Sequence, residues 1–236
     1  MIFLLFLTGC LEPLVTEIQL TGTLTEHRFS DAEPVQGTVT TLTHTAEEYD
    51  CIDSSEDGSF NVQAPANAPL FFVHTDADGR TPTSFAGWSG IDDLEVAPGT
   101  LWVRSEVELE AIRADFANCA ESQDEGAIIE GEVRVYLPVE DSIDDLPLVT
   151  TASLVVEDEN ETVRTACYLD DDGLSDPDAS VTGTTGRFAI FGLNSGPHVL
   201  TVLYDIGSDL VEESTYPILL PENGTAPMYP VLVELP

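Results

Sequence analysis

The densest group of potential ligands in the chain is Asp170-Asp171-Asp172-Gly173-Leu174-Ser175-Asp176-Pro177-Asp178. Carboxylates placed around a turn glycine are hard oxygen donors, and Ca²⁺ collects about six to eight of them. Asp170, Asp172, Asp176 and Asp178 are therefore the candidate Ca²⁺ ligands, with a solvated acidic loop as the competing reading. A calcium loop closed by a late bidentate Glu is excluded, because Val181 stands at that place. Asp76-Ala77-Asp78-Gly79 is a shorter version that reads as a hairpin turn. Trp88 and Trp102 offer indole faces that could form a platform for a sugar, against packing in the core or at a seam. His27, His44, His74 and His198 show no metal-ligand spacing. No nucleophile elbow, phosphate loop or dinucleotide fingerprint occurs, so no catalytic residue is expected.

Charge narrows the partners further. The chain carries 44 acidic residues against 7 basic ones, a net charge of −37, and all the basic residues are arginine. Such a surface repels nucleic acid, which excludes a direct nucleic-acid role. It suits a solvated surface in a salty medium, and it would attract divalent cations or a basic partner. Hydrophobic residues make up 42% of the chain and are spread along it, enough for a packed core.

At the start, the apolar run Ile2 to Leu7 leads into Thr8-Gly9-Cys10. Leu7-Thr8-Gly9-Cys10 resembles the lipobox of bacterial lipoproteins. The resemblance implies a lipid on the Cys10 thiol, cleavage before Cys10 and membrane anchoring through buried acyl chains. It also implies export, at the cell membrane or outer membrane and facing the periplasm or outside. In a Gram-negative host, Leu11 after the cysteine favours outer-membrane sorting by the same resemblance. No Lys or Arg precedes Cys10, and a helix of that length spans only about 13 Å. Either an upstream start supplies a basic residue or the signal is minimal. Once Cys10 is lipidated, Cys51, Cys119 and Cys167 remain. A Cys51–Cys119 disulfide is one expectation, and buried free thiols are the other.

These groups need elements to hold them, and the patterning is mainly β. Ile18, Leu20, Gly22 and Leu24 alternate as a strand with one buried face. Strands are also expected at 35–45, from Phe60 to Val62 after the Asp57-Gly58 turn, and at 69–75. Later strands are expected at 128–137, 148–157, 162–169, 187–191, 198–204 and 228–235. Residues 105–117 differ: Ser105 and Glu108 fit a capping box, and Leu109, Ile112 and Phe116 follow at helical spacing. One short helix is therefore expected at the seam between two modules.

A repeat supports two modules. Asp57-Gly58-Ser59-Phe60-Asn61-Val62 aligns with Thr185-Gly186-Arg187-Phe188-Ala189-Ile190, and Pro69 then falls on Pro197 without a gap. The stretch Thr184 to Val202 resembles the carboxypeptidase-regulatory-like domain, a transthyretin-like β-sandwich. Gly131-Glu132-Val133 is similar to that family's first strand. The resemblance covers about 126–205 and, less closely, 18–100, and it implies an accessory sandwich without catalysis. The expected organisation is a signal segment at 1–9, a tether at 10–17, a first Ig-like or transthyretin-like antiparallel β-sandwich at 18–104, a helix and linker at 105–125, and a second sandwich at 126–236. The expected function is a membrane-anchored structural or protein-interaction module of the cell envelope. The alternative is a carbohydrate- or peptide-binding accessory module, stabilised by calcium. The partner is accordingly an envelope protein or a glycan.

Overall fold

The computed structural model describes residues 15–28, 31–136, 146–205 and 211–234. Cys10 and the apolar run before it lie outside the described residues. The first module contains β1 (Glu17–Thr23), β2 (Thr38–Leu42), β3 (Glu48–Asp53), β4 (Ser59–Pro65), β5 (Phe71–Asp76), β6 (Arg80–Thr81), β7 (Thr83–Gly87), β8 (Leu94–Glu95) and β9 (Arg104–Ser105). A helix, α1 (Glu106–Asp115), and a short 3-10 turn at Ala120–Gln123 follow. The second module contains β10 (Ala127–Tyr136), β11 (Ser153–Asp158), β12 (Val163–Thr165), β13 (Cys167–Leu169), β14 (Ser175–Asp176), β15 (Arg187–Leu193), β16 (Gly196–Asp205), β17 (Val211–Leu220) and β18 (Thr225–Glu234).

In the first module, a β4-β1-β8 layer faces a β3-β2-β5-β7 layer. Alternation along each strand supplies the core between them: Ile18 and Leu20 from β1, Phe60 and Val62 from β4, Val39 from β2, Phe71 and Val73 from β5. The second module repeats the plan, with β15-β10-β18 facing β12-β11-β16-β17. Its core is Ile129 and Val133, Phe188 and Ile190, Leu154 and Val156, Leu200 and Val202. Even the strand directions agree, since β1 runs parallel to β8 and β10 runs parallel to β18. The fold is mainly β, a pair of β-sandwiches with one α-helix among the described residues.

The repeat seen in sequence is the pivot of both sandwiches. Gly58 and Gly186 both take left-handed backbone, φ 74° and 63°, which a side chain strains and glycine does not. The next strand then opens in register, and Phe60 and Phe188 enter their cores, each burial stabilising by roughly 1.5–3 kcal/mol. One correspondence was not apparent from sequence: Gly22 stands opposite Phe60, and Gly131 stands opposite Phe188.

The two modules share a sheet. Module two's β18 pairs in parallel with module one's β7 at Thr225 and Thr83. The Thr225 amide donates to the Pro82 carbonyl at 2.8 Å. One sheet therefore runs β14-β13-β15-β10-β18-β7-β5-β2-β3 through both sandwiches. Helix α1 starts as its sequence indicates: the Glu108 amide donates to Ser105 Oγ, and the Ser105 amide donates to Glu108 Oε2. Its start is tied to module one, because β9 pairs with β6. Its apolar side, Ile112 and Phe116, packs on Ile128, Cys167, Leu169, Ala189 and Phe191 of module two.

Three strands of five or more residues escape the sequence pattern, along with the two-residue β6, β8, β9 and β14. Strand β3 is an edge strand that is part-exposed on both faces, so Glu48, Asp50 and Asp53 hide its alternation. Strand β7 is short, and Phe85 is its one large apolar residue among small ones. Strand β17 contains Pro217 and two glutamates, a composition that argues against a strand until its full pairing with β16 is seen.

Candidate functional site

The largest concentration of buried charge lies where the modules meet. On β10, Ile129, Gly131 and Val133 face the sandwich core, so Ile128, Glu130 and Glu132 face outward. That outer face is nonetheless covered. Ile128 lies beneath α1, and Glu130 is only 1% exposed. Arg104 Nη2 of β9 donates to Glu130 Oε1, and the Tyr229 hydroxyl of β18 donates to Glu130 Oε2. An extra residue in β18 opposite Gly131–Val133 bulges the strand at Tyr229-Pro230. Arg28 lies over the Tyr229 ring, 4.4 Å from its centroid. Alongside, Arg134 Nε donates to Glu132 at 2.8 Å, and Arg187 reaches Asp115 of the helix at 3.0 Å.

These groups border a cleft of about 350 Å³ between the modules, lined by Arg28, Arg104, Glu132, Arg187, Trp102 and Tyr229 among others. Burial is the main influence on Glu130 and pushes its carboxyl upward; Arg104, Arg187 and Arg28 pull the other way without overcoming it. The Arg104 Nε is buried without a hydrogen-bond partner. The cleft is thus an ionic joint carried by one buried pair between the modules, Arg104 with Glu130; Arg134–Glu132 lies within β10, and Arg187–Asp115 is part-exposed. Chemically that pair favours the docked arrangement, because separating Arg104 from Glu130 strands a group in a dry setting.

On another side of the joint, a groove of about 370 Å³ is mostly apolar. His44 and Phe72 come from module one, and His198, Val199, Ile218 and Leu219 come from module two. Nearby, burial pushes His74 of β5 down, the Leu219 backbone across the joint opposes that shift, and the His74 Nε2 is buried without a hydrogen-bond partner among the described residues.

The structure distributes the residues singled out from sequence. Asp170 Oδ1 accepts from the amides of Asp172 and Leu174, and Asp176 Oδ1 accepts from the amide of Asp178. The carboxylates of Asp170 and Asp176 thus fold back onto their own turns, and Asp171 Oδ1 accepts from the Thr184 amide. Asp170, Asp172, Asp176 and Asp178 are not brought into a metal-holding group; among the described residues no three His, Cys, Asp or Glu side chains converge in that way. Trp88 is 76% exposed in the loop after β7, whereas Trp102 is 8% exposed and packs edge-on against Phe85 with ring centroids 4.6 Å apart. A shared indole platform is therefore not assembled. Cys51 sits exposed on β3 and accepts from Thr40 Oγ1 at 3.1 Å, while Cys119 is buried in module two's helix-covered face. All three described cysteines are free thiols, and the neighbour of Cys119 is Cys167 rather than Cys51.

Sequence reading passed over Arg28, Arg104, Glu130 and Tyr229. A signal existed: only seven basic residues serve the whole chain, and Glu130 interrupts an otherwise apolar strand opening, Ala127-Ile128-Ile129. A charge in that setting needs a partner, but the partner's identity depends on which segments fold over it.

No family model matches the chain, and no curated protein matches it. Among solved structures, the TIE protein of Bacillus anthracis aligns at a TM-score of 0.31 with 10% identity, over 93% of this chain and 34% of that one. The shaft pilin SpaA of Lactobacillus rhamnosus GG aligns at 0.28 with 10% identity, over 94% of this chain and 98% of the pilin. A minor pilin of Streptococcus agalactiae aligns at 0.28 with 13% identity, over 92% and 94%. At these values the likeness carries no function across. The chain spans about a third of the length of the first of these proteins.

Proposed function

We propose that the chain is an exported lipoprotein, held to a membrane by a lipid on Cys10, that serves as a rigid two-module structural or protein-interaction piece of the cell envelope. The observation that carries this reading is Leu7-Thr8-Gly9-Cys10 behind an apolar run, only a few residues before β1 opens at Glu17. A tether that short would hold module one within about 25 Å of the lipid surface. The end of module one nearest the tether supports this. The Ala66 amide donates to the Thr16 carbonyl, and the Ser89 amide donates to Ala68, which sets the loop after β7 beside the chain's entry. Exposed apolar side chains gather there: Val15, Trp88 and Ile91. Tryptophan is favoured at a membrane interface because its ring is apolar and its N–H is wet. The ionic joint supports the rigid-body part of the reading.

Labelling with a palmitate analogue tests the tether. The full chain, expressed with its native leader, should take up label and sediment with membranes, and Cys10→Ser should abolish both. Label that survives Cys10→Ser overturns the reading.

The second reading is a carbohydrate- or peptide-binding accessory module, and the exposure of Trp88 favours it. Binding on a glycan array that disappears in Trp88→Ala would select it. The relation of the sandwiches to carboxypeptidase-regulatory-like domains belongs to the same proposal, supported by the turn at Gly186 and the buried Phe188. So does calcium at Asp170, Asp172, Asp176 and Asp178, for which a rise in Tm on adding CaCl₂, lost in Asp172→Asn, is the test.

A further inference from the structure

We infer that Cys119 and Cys167 are joined by a disulfide in the exported protein, stapling the segment after α1 to the sheet of module two. Both side chains lie in one buried cluster, between Phe116 and Ile112 on the helix side and Leu169, Ala189 and Phe191 on the sheet side. The two thiols lie close enough to perturb each other's protonation, and the backbone of Tyr168, the residue after Cys167, acts on Cys119 as well.

The approach is built in rather than incidental. The Asn118 amide donates to Ser175 Oγ at 2.9 Å, and Asn118 Nδ2 donates to the Ser175 carbonyl at 2.8 Å. Ser175 pairs with Leu169 across the β13–β14 hairpin, so the residue preceding Cys119 is clamped to the hairpin that carries Cys167. On the other flank, Cys167 pairs with Ala189 of β15. Cys167 cannot drift without breaking strand pairing, nor Cys119 without straining the Asn118–Ser175 hydrogen bonds. Cys51 has no such arrangement, being exposed on the far edge of module one's sheet.

In the oxidation, both S–H bonds break and the Cys119–Cys167 S–S bond forms. Two electrons and two protons pass to a disulfide oxidant, of protein or small-molecule type, which is itself reduced to two thiols. Burial pushes both thiols up, Cys167 the more strongly, so little thiolate exists once the helix has closed. The bond therefore forms during folding rather than afterwards. The inference rests on the exported reading, because an oxidising compartment is what retains such a bond.

The test has two arms on the full chain. In the first, reduced protein is refolded with oxidised glutathione, digested without reduction and mapped by mass spectrometry. In the second, protein from its own cells is trapped with an alkylating agent and mapped in the same way. A Cys119–Cys167 peptide in both arms, with Cys51 alkylated, is the expected result. No such peptide after refolding overturns the inference and leaves the tether untouched. A peptide after refolding but free thiols in cells overturns it too, and the exported reading with it. Reduction should lower the Tm of the wild type by on the order of 10 °C. It should leave Cys119→Ala/Cys167→Ala unmoved, and Cys51→Ser should behave as wild type. If the double alanine variant does not fold, the Cys51→Ser chain alone still decides the linkage.

Discussion

Module one and module two use the same strand order and the same parallel closing strand, yet they treat the outer face of the first strand differently. In module one, that face of β1 carries Thr21, a part-buried hydroxyl beside Leu94. In module two, the equivalent face of β10 carries Glu130, sealed under Arg104 and Tyr229. The difference follows from what lies outside. Module two's first layer continues into module one's sheet and is roofed by α1 and β9, so its outer face is interior. The two sandwiches share one plan, and the joint is built on only one of them. A polar joint of this kind costs desolvation but favours one docking geometry.

Breaking the joint should have the largest effect. Arg104→Ala strips the buried Glu130 of its cationic partner, and it should cost about 3–5 kcal/mol in chemical unfolding. No comparable loss should follow from Arg80→Ala, whose pair with Glu26 is part-exposed in module one. Equal losses would show that the seam is not special.

The paired glycines sharpen the comparison next. A Cβ at Gly131 would lie 2.1 Å from the Met228 carbonyl oxygen, a backbone atom of the parallel partner. At Gly22 the nearest atom is Val96 Cγ2 at 2.4 Å, the end of a side chain that can turn away. Gly131→Ala should therefore cost about 2–3 kcal/mol and Gly22→Ala about 1 kcal/mol, measured by urea unfolding.

A smaller effect depends on pH. Burial raises the pKa of Glu130, so the protonated form favours the folded state. Its contribution is full below the ordinary carboxylate range and is lost as pH rises through the raised value. Glu130→Gln removes that dependence, and wild type should lose stability relative to the variant as pH climbs from about 4.

The smallest expected signal separates the two repeat turns. Hydrogen bonds from Ser55 and Ser59 hold Asp57 down at about 2. Its contribution is present above the ordinary carboxylate range and fades as pH falls toward that value. Thr185 holds the equivalent place in module two, where its hydroxyl accepts from the Arg187 amide at 3.3 Å. An NMR titration should show acid-dependent shifts at the first turn, centred near 2, and none from residue 185 at the second.

Much of the sandwich plan was legible because it rests on local chemistry. Alternation in Ile18-Gln19-Leu20, the turn at Asp57-Gly58 and the Ser105–Glu108 box each act within a few residues, and each appears in the structure where the pattern places it. Strands β3 and β17 were illegible because their stability comes from neighbours rather than from their own pattern. The candidate site was less legible still. Trp88 and Trp102 look alike in sequence, and only packing exposes one and buries the other.

The sequence by itself determined the strongly acidic surface, two β-modules about a repeated glycine and phenylalanine, and the start of one helix. These follow from charge counts, side-chain periodicity and backbone sterics, which need no knowledge of distant residues. Only the tertiary structure decided that one sheet passes through both modules, that Glu130 answers Arg104, and that Cys119 meets Cys167 rather than Cys51. Those pairings join segments far apart in the chain. Their choice depends on which surfaces the folded strands leave uncovered, and no local pattern records it.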